Sequence, residues 1–172
     1  MKNLLFSFRA SRGFTLIETF VAVTILMTAV AGPLTIAARG LLSSVLAKDQ
    51  LTASFLAQEG VEYIRHKRDT NRLQNLTWFA GMNACTTSIC QIDSKEDTMT
   101  ACGTGTCAKL RYDRASGFYT YNIASPETPF TRTVRVEIAP NGYEAVITST
   151  VEWRSAIYTR QIVLKEILTD WQ

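Results

Sequence analysis

Four cysteines, Cys85, Cys90, Cys102 and Cys107, follow the pattern Cys-x4-Cys-x11-Cys-x4-Cys within a stretch of twenty-three residues. Thiols can ligate zinc or pair as disulfides; zinc ribbons prefer two to four residues between paired ligands, and an oxidising compartment disfavours thiolate ligation, so two disulfides are expected. Four cysteines allow three connectivities, and spacing does not choose among them. Glu18 is the only ionisable side chain between Arg12 and Arg39. Arg65, Lys67, Arg68 and Arg72 form a basic cluster that suits phosphates, lipid headgroups or a partner's acids, or that simply ends a helix where the dipole favours cations. His66 is the chain's only histidine and has no acid–base partner at motif spacing. A single histidine excludes most familiar triads and metal clusters, and no phosphate loop, zinc-helix motif or nucleophile elbow is present. Gly103-Thr104-Gly105 lies between cysteines, not between a strand and a helix. The expectation is a chain that is not an enzyme, with no metal and no cofactor.

The element that carries Glu18 is an apolar run. As a helix, the twenty-five residues from Phe14 to Ala38 would extend about 37 Å, more than the roughly 30 Å hydrocarbon core of a bilayer. The chain has 18 Lys+Arg and 15 Asp+Glu. Lys2, Arg9 and Arg12 precede Gly13 and no acid does, so the remainder from Phe14 onward has fifteen of each sign and is formally neutral. Positive residues flanking a span stay in the cytoplasm, which places the N-terminus inside and the C-terminal part outside, where disulfides persist. Global attraction to nucleic acid is disfavoured by the neutrality of this part, though a local patch is not.

A secretory signal has a shorter apolar region with its cleavage site after it. Here the small residue at the charge boundary, Gly13, comes first, so a cut there removes the charges and keeps the span. The residues SRGFTLIETFVAVTIL, Ser11 to Leu26, resemble the class III signal of type IV prepilins and type II secretion pseudopilins. The resemblance implies that a prepilin peptidase cleaves Gly13–Phe14 and methylates the new amine of Phe14. It also implies subunit assembly through Phe14 and Glu18, with other pilin or pseudopilin subunits, an inner-membrane assembly platform and the lipid bilayer as partners. A carboxylate in a lipid-buried helix costs about 2.5 to 3.5 kcal/mol. The cleaved amine, one turn away, offers about 4 kcal/mol of attraction at 4 Å and an effective dielectric of 20. The alternative is a Glu18 that sits unpartnered among headgroups. Gly32 and Pro33 interrupt the span and predict a helix break, as a kink or locally melted turn.

Beyond Arg39 the pattern turns amphipathic, with Leu42, Val45, Leu46, Phe55, Leu56, Tyr63 and Ile64 at mostly helical spacing to about Asn71. AQEGVEYIRHKRDTN, Ala57 to Asn71, more weakly resembles the end of the long helix in minor-pilin-like proteins. Thr77 to Thr106 lacks periodicity and reads as a long loop stapled by the cysteines. After Lys109 the texture is β. Leu110–Tyr112 and Phe118–Ile123 suggest a hairpin turning near Ser116-Gly117. Thr131–Ala139 alternates, with Val134, Val136 and Ile138 on one face. Pro140-Asn141-Gly142 is a hairpin signal, and Tyr143–Trp153 and Ile157–Leu168 follow as strands. An antiparallel sheet of four or five strands is expected.

The fold class expected is α+β: a long N-terminal transmembrane and amphipathic helix packed on a C-terminal antiparallel β-sheet, a pilin-like layout. The expected organisation is a leader at 1–13, a transmembrane helix at 14–38, a helical stalk at 39–75 and a disulfide-stapled head at 76–172. Function is expected to be that of a minor pilin or pseudopilin, a single-pass subunit of a surface pilus, a periplasmic pseudopilus or a DNA-uptake filament. The alternatives are a filament-displayed adhesin or DNA receptor, with nucleic acid a less favoured partner, and a solitary extracytoplasmic domain on a plain signal anchor.

Overall fold

The computed structural model describes residues 13, 15–103, 105–155 and 158–170. One helix, α1 (Leu16–Leu73), is followed by a short helix, α2 (Asn83–Thr87), and seven strands. These are β1 (Cys90–Asp93), β2 (Thr98–Ala101), β3 (Lys109–Tyr112), β4 (Tyr119–Thr120), β5 (Glu127–Ile138), β6 (Glu144–Ser155) and β7 (Tyr158–Thr169). The architecture is α+β, a long N-terminal helix and a C-terminal antiparallel sheet. The chain divides after Val45 into two compact units.

In the first unit α1 is helical throughout, including Gly32 and Pro33. The locally melted turn expected there is not formed. Proline forfeits a single backbone bond, to the carbonyl of Ala29, and the apolar turns on either side propagate cooperatively across it.

In the second unit α1 buries a stripe, Ala53, Leu56, Ala57, Gly60, Val61, Ile64, Arg68 and Asn71, whose three- and four-residue steps keep it on one face. The helix ends two residues beyond the expected Asn71. Asn75 adopts φ +57°, the Leu76 amide donates to the Asn71 carbonyl at 2.8 Å, and the Asn75 amide donates to Arg72 at 3.0 Å. This is the paired-bond stop in which a left-handed residue satisfies the last carbonyls, with asparagine in the usual place of glycine.

The sheet is antiparallel throughout. β6 lies between β5 and β7, and the other side of β5 is shared by β3 along its first half and β1 further on. Two core clusters lie between α1 and the sheet. Val61 and Ile64 pack with Trp78, Met82, Cys85, Ile92, Val134, Val136 and Ile147. Ala53, Leu56 and Ala57 pack with Leu110, Phe130, Val151 and Trp153.

Three expectations need correction. The segment from Thr77 to Thr106 is not a plain loop: it holds α2, β1 and β2. Elements of four or five residues are too short to impose a period, and they are held instead by Cys85, Cys90 and Ile92, all fully buried. Those two strands, with the others, raise the sheet from four or five strands to seven. The strand expected over Phe118–Ile123 pairs only at Tyr119 and Thr120, because the Tyr121 amide turns to the Asp93 carboxylate (2.9 Å) and Asn122 opens a turn. Ile138 does share the face of Val134 and Val136, as expected, but it is 44% exposed, so the burial of that face ends at Val136.

Turn chemistry follows the residues. The Gly142 amide donates to Ala139 (2.9 Å) and the Ala139 amide to Glu144 (2.8 Å), closing the β5–β6 hairpin. Gly142 takes φ +74° and Gly117, at the β3–β4 turn, φ +77°, conformations in which side chains are strained.

Candidate functional site

Residues 16–45 of α1 carry the apolar surface. Leu16, Ile17, Phe20, Ile25, Leu26, Met27, Leu34 and Ile36 are each more than 60% exposed. The segment is long and apolar enough to cross a membrane. Its four threonine hydroxyls are satisfied within the helix: Thr19, Thr24, Thr28 and Thr35 all donate to carbonyls three or four residues earlier. A helix in hydrocarbon must satisfy its polar groups internally, and these threonines do so, which leaves the Glu18 carboxylate as the exception.

Glu18 lies in the first turn. Thr15 caps that turn: its hydroxyl accepts from the Glu18 amide (3.3 Å) and its carbonyl from the Thr19 amide (3.1 Å). Thr15-Leu16-Ile17-Glu18 thus has the Thr-x-x-Glu order of a capping box, whose acid also favours the positive end of the helix dipole. Residues 1–12 and Phe14 lie outside the described residues, so the leader, the amine of Phe14 and its contact with Glu18 do as well. Gly13 itself is exposed.

The cysteines pair in sequence order, Cys85–Cys90 and Cys102–Cys107. The first bridge is buried, with the Met99 sulfur 3.7 Å from Cys85 Sγ. Each closes a short loop, and the two do not cross-link distant parts of the head.

The four cations of the basic cluster are all engaged. Arg65 pairs with Glu62 and Glu166, Lys67 with Asp97 (2.9 Å), Arg68 with Asp69 (2.7 Å) and Arg72 with Asp170. Arg68 also donates to the Thr169 carbonyl at 3.3 Å. These residues clamp the end of α1 to β7 and to the β1–β2 turn. At that turn Asp97 adopts φ +50° and accepts from the Tyr63 hydroxyl at 2.6 Å. The Tyr63 bond and the Lys67 cation hold the Asp97 carboxyl below its ordinary range. Burial, with the adjacent Asp97 carboxylate, pushes the Tyr63 phenol up.

Two polar centres escaped the sequence reading. Arg132 is fully buried between the two core clusters. Its guanidinium donates to the carbonyls of Leu56 (3.1 Å) and Ile92 (2.6 Å) and to the Glu59 carboxylate (2.9 Å). Glu59 also accepts from the Ser94 hydroxyl. Helix, β1 and β5 therefore meet on one side chain. Burial pushes the neighbouring Tyr121 phenol up to about 12, with Arg132 opposing the shift. The signal was parity: Phe130, Arg132, Val134 and Val136 share one face of a period-two strand.

Asp93 is the second centre, 5% exposed. One carboxylate oxygen accepts from the Thr120 hydroxyl (2.7 Å) and Tyr121 amide (2.9 Å), the other from the Lys95 (3.1 Å) and Glu96 (3.2 Å) amides. Burial opposes its ionisation, but these four bonds prevail and hold the carboxyl below its ordinary range. Among the described residues no group of three His, Cys, Asp or Glu is placed to hold a metal ion. No family model, no curated protein and no solved structure matches the chain.

Proposed function

We infer that this chain is a prepilin-like filament subunit, a minor pilin or pseudopilin cleaved after Gly13, methylated at Phe14 and assembled through its N-terminal helix. One observation carries the reading. An exposed apolar helix holds a single carboxylate, Glu18, in its first turn, directly after a basic segment that ends in glycine. A lone acid at the start of a lipid-facing helix needs a cation, and cleavage at Gly13 creates one four residues earlier. The engaged cations at the end of α1 give no matching support to a DNA receptor.

N-terminal sequencing of the chain recovered from membranes tests this. N-methylated phenylalanine is the expected first residue, and an intact Met1 refutes the reading. Gly13→Ala should leave an unprocessed membrane precursor, and normal filament assembly with the leader attached would contradict the mechanism. Glu18→Ala should be cleaved and inserted normally but fail to enter filaments.

A further inference from the structure

β7 has one free edge. β6 covers its other side over the full register, from Ser155 opposite Tyr158 to Glu144 opposite Thr169, and among the described residues no strand pairs beyond it. The Asp170 amide donates to the Tyr143 carbonyl at 2.7 Å, which fixes the phase of the ladder. Even-numbered residues of β7 direct their N–H and C=O groups at β6, and Thr159, Gln161, Val163, Lys165 and Ile167 direct theirs outward. The sheet's other outer strands, β2 and β4, have only four and two residues. β7 has 12, with no proline and no break in register. Soluble proteins ordinarily blunt an edge of that length. Here Val163 and Ile167 stay 46% and 66% exposed along it.

A second observation lies beside the edge. Arg160, on the face of β7 that also carries Ile162 and Leu164, lines a cavity of about 280 Å³ with Gln50, Trp153, Gln161 and Ile162. Trp153 is 4% exposed, and its buried indole N–H has no acceptor among the described residues. Arg160 and Lys165 have no acidic partner there either, whereas Glu166 is taken by Arg65. Two kinds of unmatched group therefore coincide: a row of backbone donors and acceptors, and an arginine without an acidic partner among the described residues beside a depression roomy enough for a carboxylic side chain.

We propose that the outer edge of β7 is a strand-addition site for an extended, acidic segment of another protein chain. Added antiparallel, the segment exchanges backbone bonds with residues 159–167, and its side chain opposite Arg160 brings a carboxylate to the guanidinium. β-branched residues opposite Val163 and Ile167 cover the exposed apolar strip. Main-chain bonds supply the affinity and the acid supplies the choice of partner. This inference does not depend on the filament reading.

The probe is a labelled nine-residue peptide of alternating glutamate and threonine or valine, titrated into the full chain in detergent micelles. Saturable binding is expected, at least tenfold weaker when glutamine replaces glutamate and when alternate peptide amides are N-methylated. Val163→Pro removes an outward N–H and spares the β6 ladder, so it should weaken binding at least tenfold with an unchanged circular dichroism spectrum. Arg160→Met should abolish the preference for glutamate. Equal binding by Val163→Pro or by the N-methylated peptide, or no saturable binding, overturns the proposal. Concentration-dependent dimers that Val163→Pro abolishes would overturn it in favour of a second copy of this chain. Leader removal, scored on the same preparations, separates failure of this inference from failure of the filament reading.

Discussion

Replacing Gly60 with alanine should destabilise the head, although the same exchange in an ordinary helix is favourable. In a helix interior Gly→Ala gains about 1 kcal/mol. At Gly60, however, the new Cβ would stand 2.7 Å from Ser149 Oγ, 3.1 Å from Val134 Cγ2 and 3.4 Å from Arg132 Cδ, against the 3.5–4.0 Å of a relaxed contact. None of the three can retreat easily. Val134 and Ser149 are fully buried on central strands, and Arg132 is held by Leu56, Glu59 and Ile92. The helix must lift, at the overpacking cost of about 1–3 kcal/mol plus some loss at Arg132. A net destabilisation of about 1–2 kcal/mol follows. Denaturant unfolding of the chain in micelles, followed by fluorescence of the buried Trp78 and Trp153, measures it. Gly40→Ala, with nothing within 4 Å, is the control and should stabilise or be neutral. Ser149→Ala removes the closest atom, itself a buried hydroxyl with no partner among the described residues. Gly60→Ala with Ser149→Ala should therefore recover much of the loss, as a positive coupling in a double-mutant cycle. A Gly60→Ala chain as stable as the native one would refute this close-packing account.

Asp93→Asn puts an amide where one oxygen accepts two donors, which should cost about 1–3 kcal/mol for the backbone donor left unmatched. The native Asp93 carboxyl titrates below its unfolded value of about 3.9, so its contribution is present above that pH and is lost as pH falls through the folded value. Acid unfolding below about pH 4 should therefore be shallower in Asp93→Asn. Under graded reduction, Cys102–Cys107, with Cys107 half-buried, should be alkylated before the fully buried Cys85–Cys90 pair, as peptide mapping would show. Removing either bridge should cost about 2 kcal/mol, because each closes only a short loop. Arg132→Ala should unfold the head or cost more than about 3 kcal/mol, whereas Arg132→Met combined with Glu59→Gln should cost much less; a buried charge is dangerous chiefly when its partner is removed.

Much of this was legible because the signals were long or chemically unambiguous. Twenty-five residues with one ionisable side chain read as a span. The alternation of β5 and the Asn141-Gly142 turn read as a hairpin because period two and glycine's left-handed conformation leave few alternatives. β1 and β2 were opaque for the opposite reason. CQID and TMTA are too short to show a period, and their place is set by Arg132, Asp93 and a buried disulfide, contacts between residues far apart in sequence. The cation cluster was visible as residues but misleading as a surface, since Glu166 and Asp170 lie about a hundred positions further on and reach it only through the fold. Arg132 was hidden by its charge: alternation places it inward, and the habit of placing arginine outward overrides the parity.

Those engaged cations also decide what kind of recognition the head offers. A polyanion binds by releasing counterions from available charges, and each contact adds to the salt dependence. Arg65, Lys67 and Arg72 would first have to surrender carboxylates they already hold, so a cluster of four basic residues contributes less to such binding than its composition suggests. The β7 edge differs in kind. Its unmatched groups are mostly backbone N–H and C=O, which are neutral, directional and indifferent to ionic strength, with Arg160 and Lys165 adding two charges. Binding at that edge should therefore weaken only modestly between 50 and 200 mM salt, since screening acts on those two exposed charges and not on the neutral ladder. A steep decline would move recognition back to the charged end of α1 and away from the sheet.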